Sequence, residues 1–137
     1  MRCGPVPGPV TPPISGNLTS GHGGGVHNNY GTLTVINSTI SGNTALIRGG
    51  GADNSYYPST LAVINSTISG NTALLGGGGT VNHSTLAVIN STISRNEAGV
   101  SKESFGGGGV LNRYPRYYPC DGQHHLGQYG SRWRRCE

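Results

Sequence analysis

General acid–base chemistry on a polysaccharide needs two or three carboxylates held side by side, often with a basic residue or Ca²⁺ among them. The first 112 residues of this chain offer only Asp53, Glu97 and Glu103. Asp53 follows a Gly run, whereas Glu97 follows Asn96 at a different point of the repeat described below. The two are therefore expected in different columns, each as a solvated surface charge, and no catalytic residue is assigned. A calcium roll would need an Asp recurring after each Gly run. Only Asp53 does so, and His27 takes the equivalent place one repeat earlier. The Gly runs do not suit a phosphate cradle, because no Gly-Lys-[Ser/Thr] follows them. His22, His27 and His83 share no evident column and are expected at the surface.

Toward the C-terminus, Cys120, His124, His125 and Cys136 are metal-ligating types. Their spacing matches no standard pair of zinc-ligand doublets, so no metal or cofactor is expected. Tyr114, Arg116, Tyr117, Tyr118, Trp133, Arg134 and Arg135 mix cations with aromatics, as single-strand binders do. The preferred reading is an irregular or disordered end, and nucleic acid is not an expected partner. Cys3 stands at the opposite end, and three cysteines make no disulfide framework, which leaves the redox compartment open. Asn37, Asn65 and Asn90 each open an Asn-Ser-Thr sequon, and Asn17 and Asn82 open two more. Their recurrence at the repeat period points to bend geometry before glycosylation.

The elements that must position these residues are repeats. The hexapeptide INSTIS occurs at Ile36 to Ser41, Ile64 to Ser69 and Ile89 to Ser94. Each copy follows a Leu-x-Val pair: Leu33 and Val35, Leu61 and Val63, Leu86 and Val88. A weaker copy, Ile14-Ser15-Gly16-Asn17, matches Ile40-Ser41-Gly42-Asn43. Gly runs recur after each copy, and Asn28, Asn54, Asn82 and Asn112 follow those runs. Such self-similarity means one structural unit stacked several times.

Within a unit, β-branched residues alternate with period two, which favours short strands. Asn and Gly interrupt them as bends. Two or three strands of roughly three to five residues close one rung in ~25 residues, and successive rungs pair in parallel at ~4.8 Å. Leu33, Leu61 and Leu86, then Val35, Val63 and Val88, then Ile40, Ile68 and Ile93 form dry internal columns. Asn43, Asn71 and Asn96 form an amide ladder, each donating to the next. The expected fold is all-β: a right-handed parallel β-helix solenoid of about four rungs with irregular termini. Residues 1–13 form a Pro/Gly-rich N-terminus, 14–112 the repeats and 113–137 a basic aromatic tail. Helix-pair repeats need ~33–47 residues and would be broken by Gly runs. A leucine-rich repeat fails because Asn37 comes two residues after Val35 rather than three.

Gly supplies 25 of 137 residues, against a usual ~7%. Charged residues are 10%, against ~25% in ordinary domains. The net charge of +4 sits mainly in the tail, where Arg113, Arg116, Arg132, Arg134 and Arg135 outnumber Asp121 and Glu137. No apolar run approaches the ~20 residues of a membrane span. The first 13 residues lack the apolar core of a secretory signal, and the repeat register is already running at Ile14. Met1 is therefore not expected to be the natural start.

The pattern Ile-x-x-Asn followed by Gly-Gly-Gly-[Val/Ala] resembles the repeat of polymorphic outer membrane proteins and related right-handed, pectin lyase-like β-helix surface proteins. The resemblance covers residues 14–112. Ile14, Ile40, Ile68 and Ile93 stand where that family usually has Phe. Gly24-Gly25-Val26, Gly50-Gly51-Ala52 and Gly108-Gly109-Val110 match its second motif, and Gly78-Gly79-Thr80 matches it loosely. The resemblance implies a fragment of a secreted or surface-anchored bacterial protein. The expected role is structural and adhesive, with no catalysis of its own. Expected partners are carbohydrate, a host or cell-surface protein, and further copies of the chain through the open ends of the stack. The alternatives are a fragment of a polysaccharide lyase or glycoside hydrolase, and a truncated gene product without independent function.

Overall fold

The computed structural model describes residues 11–99 and 106–113. Glu103, the three cysteines, His124, His125 and the aromatic tail from Tyr114 lie outside the described residues.

The chain winds as a parallel β-solenoid with four short strands per turn. The first turn holds β1 (Ile14–Ser15), β2 (Leu18–Thr19), β3 (Val26–Asn29) and β4 (Thr32–Ile36). The second holds β5 (Thr39–Ser41), β6 (Thr44–Ala45), β7 (Ala52–Ser55) and β8 (Thr60–Ile64). The third holds β9 (Thr67–Ser69), β10 (Thr72–Ala73), β11 (Thr80–Asn82) and β12 (Thr85–Ile89). The fourth holds β13 (Thr92–Ser94), β14 (Glu97–Ala98) and β15 (Val110–Asn112). Corresponding strands pair into four parallel sheets, and no strand pairs within its own turn. Each INSTIS copy therefore straddles a corner between two sheets.

Four strands per turn corrects the expectation of two or three. The reason is the number of corners. Asn37, Asn65 and Asn90 take left-handed φ of 49°, 48° and 47° at the first corner. Gly42 and Gly70 do the same at the second, both at 63°. Arg95 replaces them one turn on at 53°, where an L-residue costs about 1–2 kcal/mol more than Gly. Gly49 turns the third corner and Tyr56 the fourth. Thr44–Ala45 is thereby separated from Thr39–Ser41 and pairs in a sheet of its own. The unequal spacing of the INSTIS copies is absorbed at the fourth corner. Counted between residues in register, Asn54 to Thr60 takes six steps and Asn82 to Thr85 takes three, which is the whole three-residue difference.

The interior is dry where the stack is two-sided. Ile40, Leu61, Val63 and Ile68 are buried, with Ile14, Val26, Leu33, Leu86 and Ile93 packed at their flanks. Register aligns Leu33 with Leu61 and Leu86, Val35 with Val63 and Val88, and Ile40 with Ile68 and Ile93. Val88 departs from the dry column: it is 41% exposed, against 1% for Val63. Nothing among the described residues stacks above β12. An open cavity of about 410 Å³, lined by Asn82, Ser84, Thr85, Leu86, Val110 and Asn112, remains there.

Three polar ladders run through this apolar stack. Asn17, Asn43, Asn71 and Asn96 form one. Each side-chain amide donates to the next Asn Oδ1 at 2.9–3.0 Å. The same Oδ1 atoms accept the backbone N–H of the preceding Asn at 2.9–3.0 Å. The second amide proton of Asn43, Asn71 and Asn96 goes to the carbonyls of Ile14, Ile40 and Ile68. A carbonyl can only accept, so these bonds fix which amide atom points which way. The second ladder, Asn28, Asn54, Asn82 and Asn112, runs behind the Gly runs with Nδ2–Oδ1 distances of 2.7–2.8 Å. The third joins Ser38, Ser66 and Ser91 under the sequon corner, each backbone N–H donating to the next Oγ. The Asn and Ser of the sequons thus serve the bend, while Asn37, Asn65 and Asn90 remain exposed.

Gly51 shows how tightly the turns are packed. A Cβ there would lie 2.6 Å from Gly79 O and 2.7 Å from Ile68 Cγ2. Gly51→Ala is expected to lower the unfolding midpoint strongly, because the nearest obstacle is backbone. Asn71→Ala removes partners from Asn43 N, Asn43 Nδ2 and Ile40 O together. At about 1–3 kcal/mol per orphaned buried group, it should cost on the order of 3 kcal/mol or more in urea unfolding. Ile68→Asp places a charge in the dry column and should abolish the cooperative melt; a melt unchanged by it would mean that Ile68 does not face inward.

Candidate functional site

Alternation along β7 puts Ala52 and Asn54 inside the solenoid and Asp53 and Ser55 on its outer face. That face is nevertheless closed: Asp53 is 0% and Ser55 2% exposed. The chain folds over it at Gly49, whose φ is +70°. A Cβ on Gly49 would sit 2.8 Å from Asp53 Cβ and 2.5 Å from Ala52 O. Only glycine allows that approach. It lays Arg48 against the carboxylate before the strand begins.

A polar cluster results. Arg48 Nε donates to His22 Nδ1 at 3.0 Å and to Asp53 Oδ2 at 3.3 Å. His22 Nδ1 also lies 3.3 Å from Asp53 Oδ2. One nitrogen cannot accept from Arg48 and donate to Asp53 at once. Burial, then the charge of Arg48, holds His22 below the usual histidine value, against the pull of Asp53. Neutral His22 accepting from Arg48 is the form that fits, with Arg48 as the counter-ion of Asp53. Ser55 Oγ donates to Asp53 Oδ1. His27 is in register with Asp53, and its ring centroid is 6.0 Å from that of His22. His83 follows β11 at the level of Ser55. Its backbone N–H bonds Asn54 O at 2.9 Å, and among the described residues its buried Nε2 has no hydrogen-bond partner. Burial, then Arg48, lowers its pKa as well.

Two expectations are corrected here. Asp53 is not a solvated surface charge but a buried, paired one. His22 and His83 are half-buried rather than surface residues; His27 is exposed as expected, and the three stand in different columns, yet each lies near Asp53 on the turn before or after it. Aligning the Gly runs already places His27 beside Asp53. The fold-back recurs at Gly23 and Gly77, both at φ +64°, but the positions in register with Arg48 are His22 and Gly76, so the arginine–carboxylate pair itself has no counterpart on the other turns. Glu97, in contrast, is exposed on β14, in register with Thr72 in another sheet. Among the described residues no group of three or more His, Cys, Asp or Glu is arranged to hold a metal ion.

Beside the cluster, the corner after β3 and β7 carries Tyr30 and Tyr56. Their rings stack at 4.9 Å with an 18° tilt. They are 62% and 54% exposed, and Tyr57 beside them 66%. Both hold left-handed φ, 56° and 64°. Bulky residues rarely hold that conformation, and the stack returns about 0.5–1.5 kcal/mol of its cost.

Comparison with protein-family models, with curated proteins and with solved structures finds no match to this chain.

The depressed histidines set a pH dependence. Near 6.5, the unfolded chain binds protons at His22 and His83 that the folded chain does not. Stability therefore rises with pH through this window, is fully present above the unfolded value, and is lost as pH falls below it. The urea midpoint should be lower at about pH 5.5 than at about pH 7.5, and His22→Gln with His83→Gln should flatten the difference. Arg48→Met strands a buried carboxylate and should cost about 3 kcal/mol. Adding Asp53→Asn should recover much of that loss, which a double-mutant cycle would measure.

Proposed function

We propose that this chain is a structural, adhesive solenoid segment of a bacterial secreted or cell-surface protein, and that it recognises carbohydrate at the Tyr30–Tyr56 corner without transforming it. The observation that carries this reading is the stacked, solvent-facing tyrosine pair on a rigid edge. Its backbone conformation is costly, and its rings cover no core. Sugar rings present apolar C–H faces, and tyrosine offers a matching flat surface with a hydroxyl for hydrogen bonding. Amide and hydroxyl side chains along the outer strands add donors and acceptors. Rigid presentation lowers the ordering cost of binding. Solenoids repeat equivalent positions along one face, which suits extended ligands.

The charges of the stack support binding over turnover. Asp53 is already held by Arg48 and Ser55, and Glu97 stands in another sheet. Acid–base cleavage of a glycosidic bond needs two carboxyl groups flanking that bond. The repeat's resemblance to outer-membrane β-helix proteins supports the cell-surface placement.

The test is retention of purified protein on immobilised pectins, other polysaccharides and cell-surface glycans. Binding that falls at least tenfold in Tyr30→Ala/Tyr56→Ala, with an unchanged melt, is the expected result. Unsaturated or reducing-sugar product that disappears when Asp53 or Glu97 is replaced would overturn the proposal in favour of a polysaccharide lyase or hydrolase fragment.

A further inference from the structure

The two ends of the stack are chemically complementary. At the N-terminal end, Asn17 and Asn28 donate through Nδ2 into the stack, to Asn43 and Asn54. Among the described residues, no donor reaches their Oδ1 atoms. At the C-terminal end the pattern is reversed. Asn96 Oδ1 accepts from Asn71, and its amide has given one proton to Ile68 O and kept one. Asn112 Oδ1 accepts from Asn82, and no acceptor among the described residues takes its Nδ2 protons. One end therefore presents amide acceptors and the other amide donors, in the same two columns.

The apolar columns are complementary in the same sense. Val26, Ala52, Thr80 and Val110 share a column. Ala52 and Thr80 are 0% exposed, whereas Val110 at the end is 40% exposed. The column Ile14, Ile40, Ile68 and Ile93 is buried in the middle and only half-buried at both ends. Among the described residues, strands β1, β2 and β3 at one end, and β13, β14 and β15 at the other, each pair on one side only. The register that joins consecutive turns would thus also join two molecules.

We infer that copies of this chain stack head to tail. Strands β1, β2 and β3 of one copy continue the sheets of β13, β14 and β15 of the next, with Val26 on Val110 and Ile14 on Ile93. Asn96 and Asn112 donate across the junction to Asn17 and Asn28. Like ends do not match, because donor would face donor or acceptor would face acceptor. The contact is heterologous and does not close on itself, so it propagates as an open filament. Exposed strand edges of this kind are natural templates for such growth. The polarity of the ladders gives such growth a direction.

The experiment uses the full chain and two single variants in sedimentation velocity over a concentration series. Val26→Lys blocks the N-terminal face and leaves the C-terminal face intact; Val110→Lys does the reverse. The wild type is expected to form larger species with concentration. Each variant alone should stay monomeric, and their mixture should form a 1:1 dimer and nothing longer. Ile14→Lys and Ile93→Lys serve as a second pair if either first variant loses its cooperative melt. Fibre diffraction of the concentrated wild type, which needs no variant, should show the ~4.8 Å strand spacing along the filament axis. A wild type that remains monomeric, a variant that dimerises alone, or a mixture that stays monomeric would each overturn the inference.

Discussion

The structure depends on the satisfaction of side-chain amides inside an apolar stack. A buried amide without partners costs several kcal/mol, so Asn43, Asn54 and Asn71 fit only where a neighbour above and a neighbour below complete their bonds. Both ladders meet that demand at every internal position. A slip of one residue would expose the leucine–valine columns and strand the amides. The ladders therefore select the register as well as stabilising it. They also make the middle turns interdependent and the end turns weaker, since an end asparagine satisfies only one side. The exposure of Val88 and Val110 follows from the same geometry.

The outer face follows a different logic. Where the chain doubles back at Gly49, a carboxylate is trapped with an arginine and neighbouring histidines. Burying an ion pair contributes little net stability, but separating it is expensive. The cluster ties the start of the Gly run to β7 and reaches Ser55, the residue before Tyr56. The inward ladders make the scaffold rigid; the outward fold-over determines what that scaffold displays.

Much of this was legible in the sequence. Period-two alternation in Leu61, Ala62 and Val63, with Asn and Gly recurring at the bends, is enough to stack Ile40, Ile68 and Ile93. The number of strands per turn was not, because Thr44–Ala45 is too short to show a period. Its pairing depends on the left-handed corners that flank it. The second asparagine ladder was visible only as residues following Gly runs. The site was largely hidden: Asp53 looks like a lone surface acid until Gly49 brings Arg48 over it. The fold-back recurs at Gly23, Gly49 and Gly77, but Arg48 and Asp53 meet on one turn only, and a contact made once leaves no periodic trace. The tyrosine stack was equally silent, since Tyr30 and Tyr56 sit in a corner whose length changes between turns.

Native-state hydrogen exchange reads the buried ladders residue by residue. The slowest exchange is expected in the second and third turns, at the backbone amides of Asn43, Asn71, Ala52 and Thr80, with protection falling toward both ends. The side-chain amides of Asn43, Asn54 and Asn71 should be protected together with that backbone. Uniformly weak protection, or fast exchange of those side-chain amides within a protected backbone, would contradict a stack held in register by buried ladders.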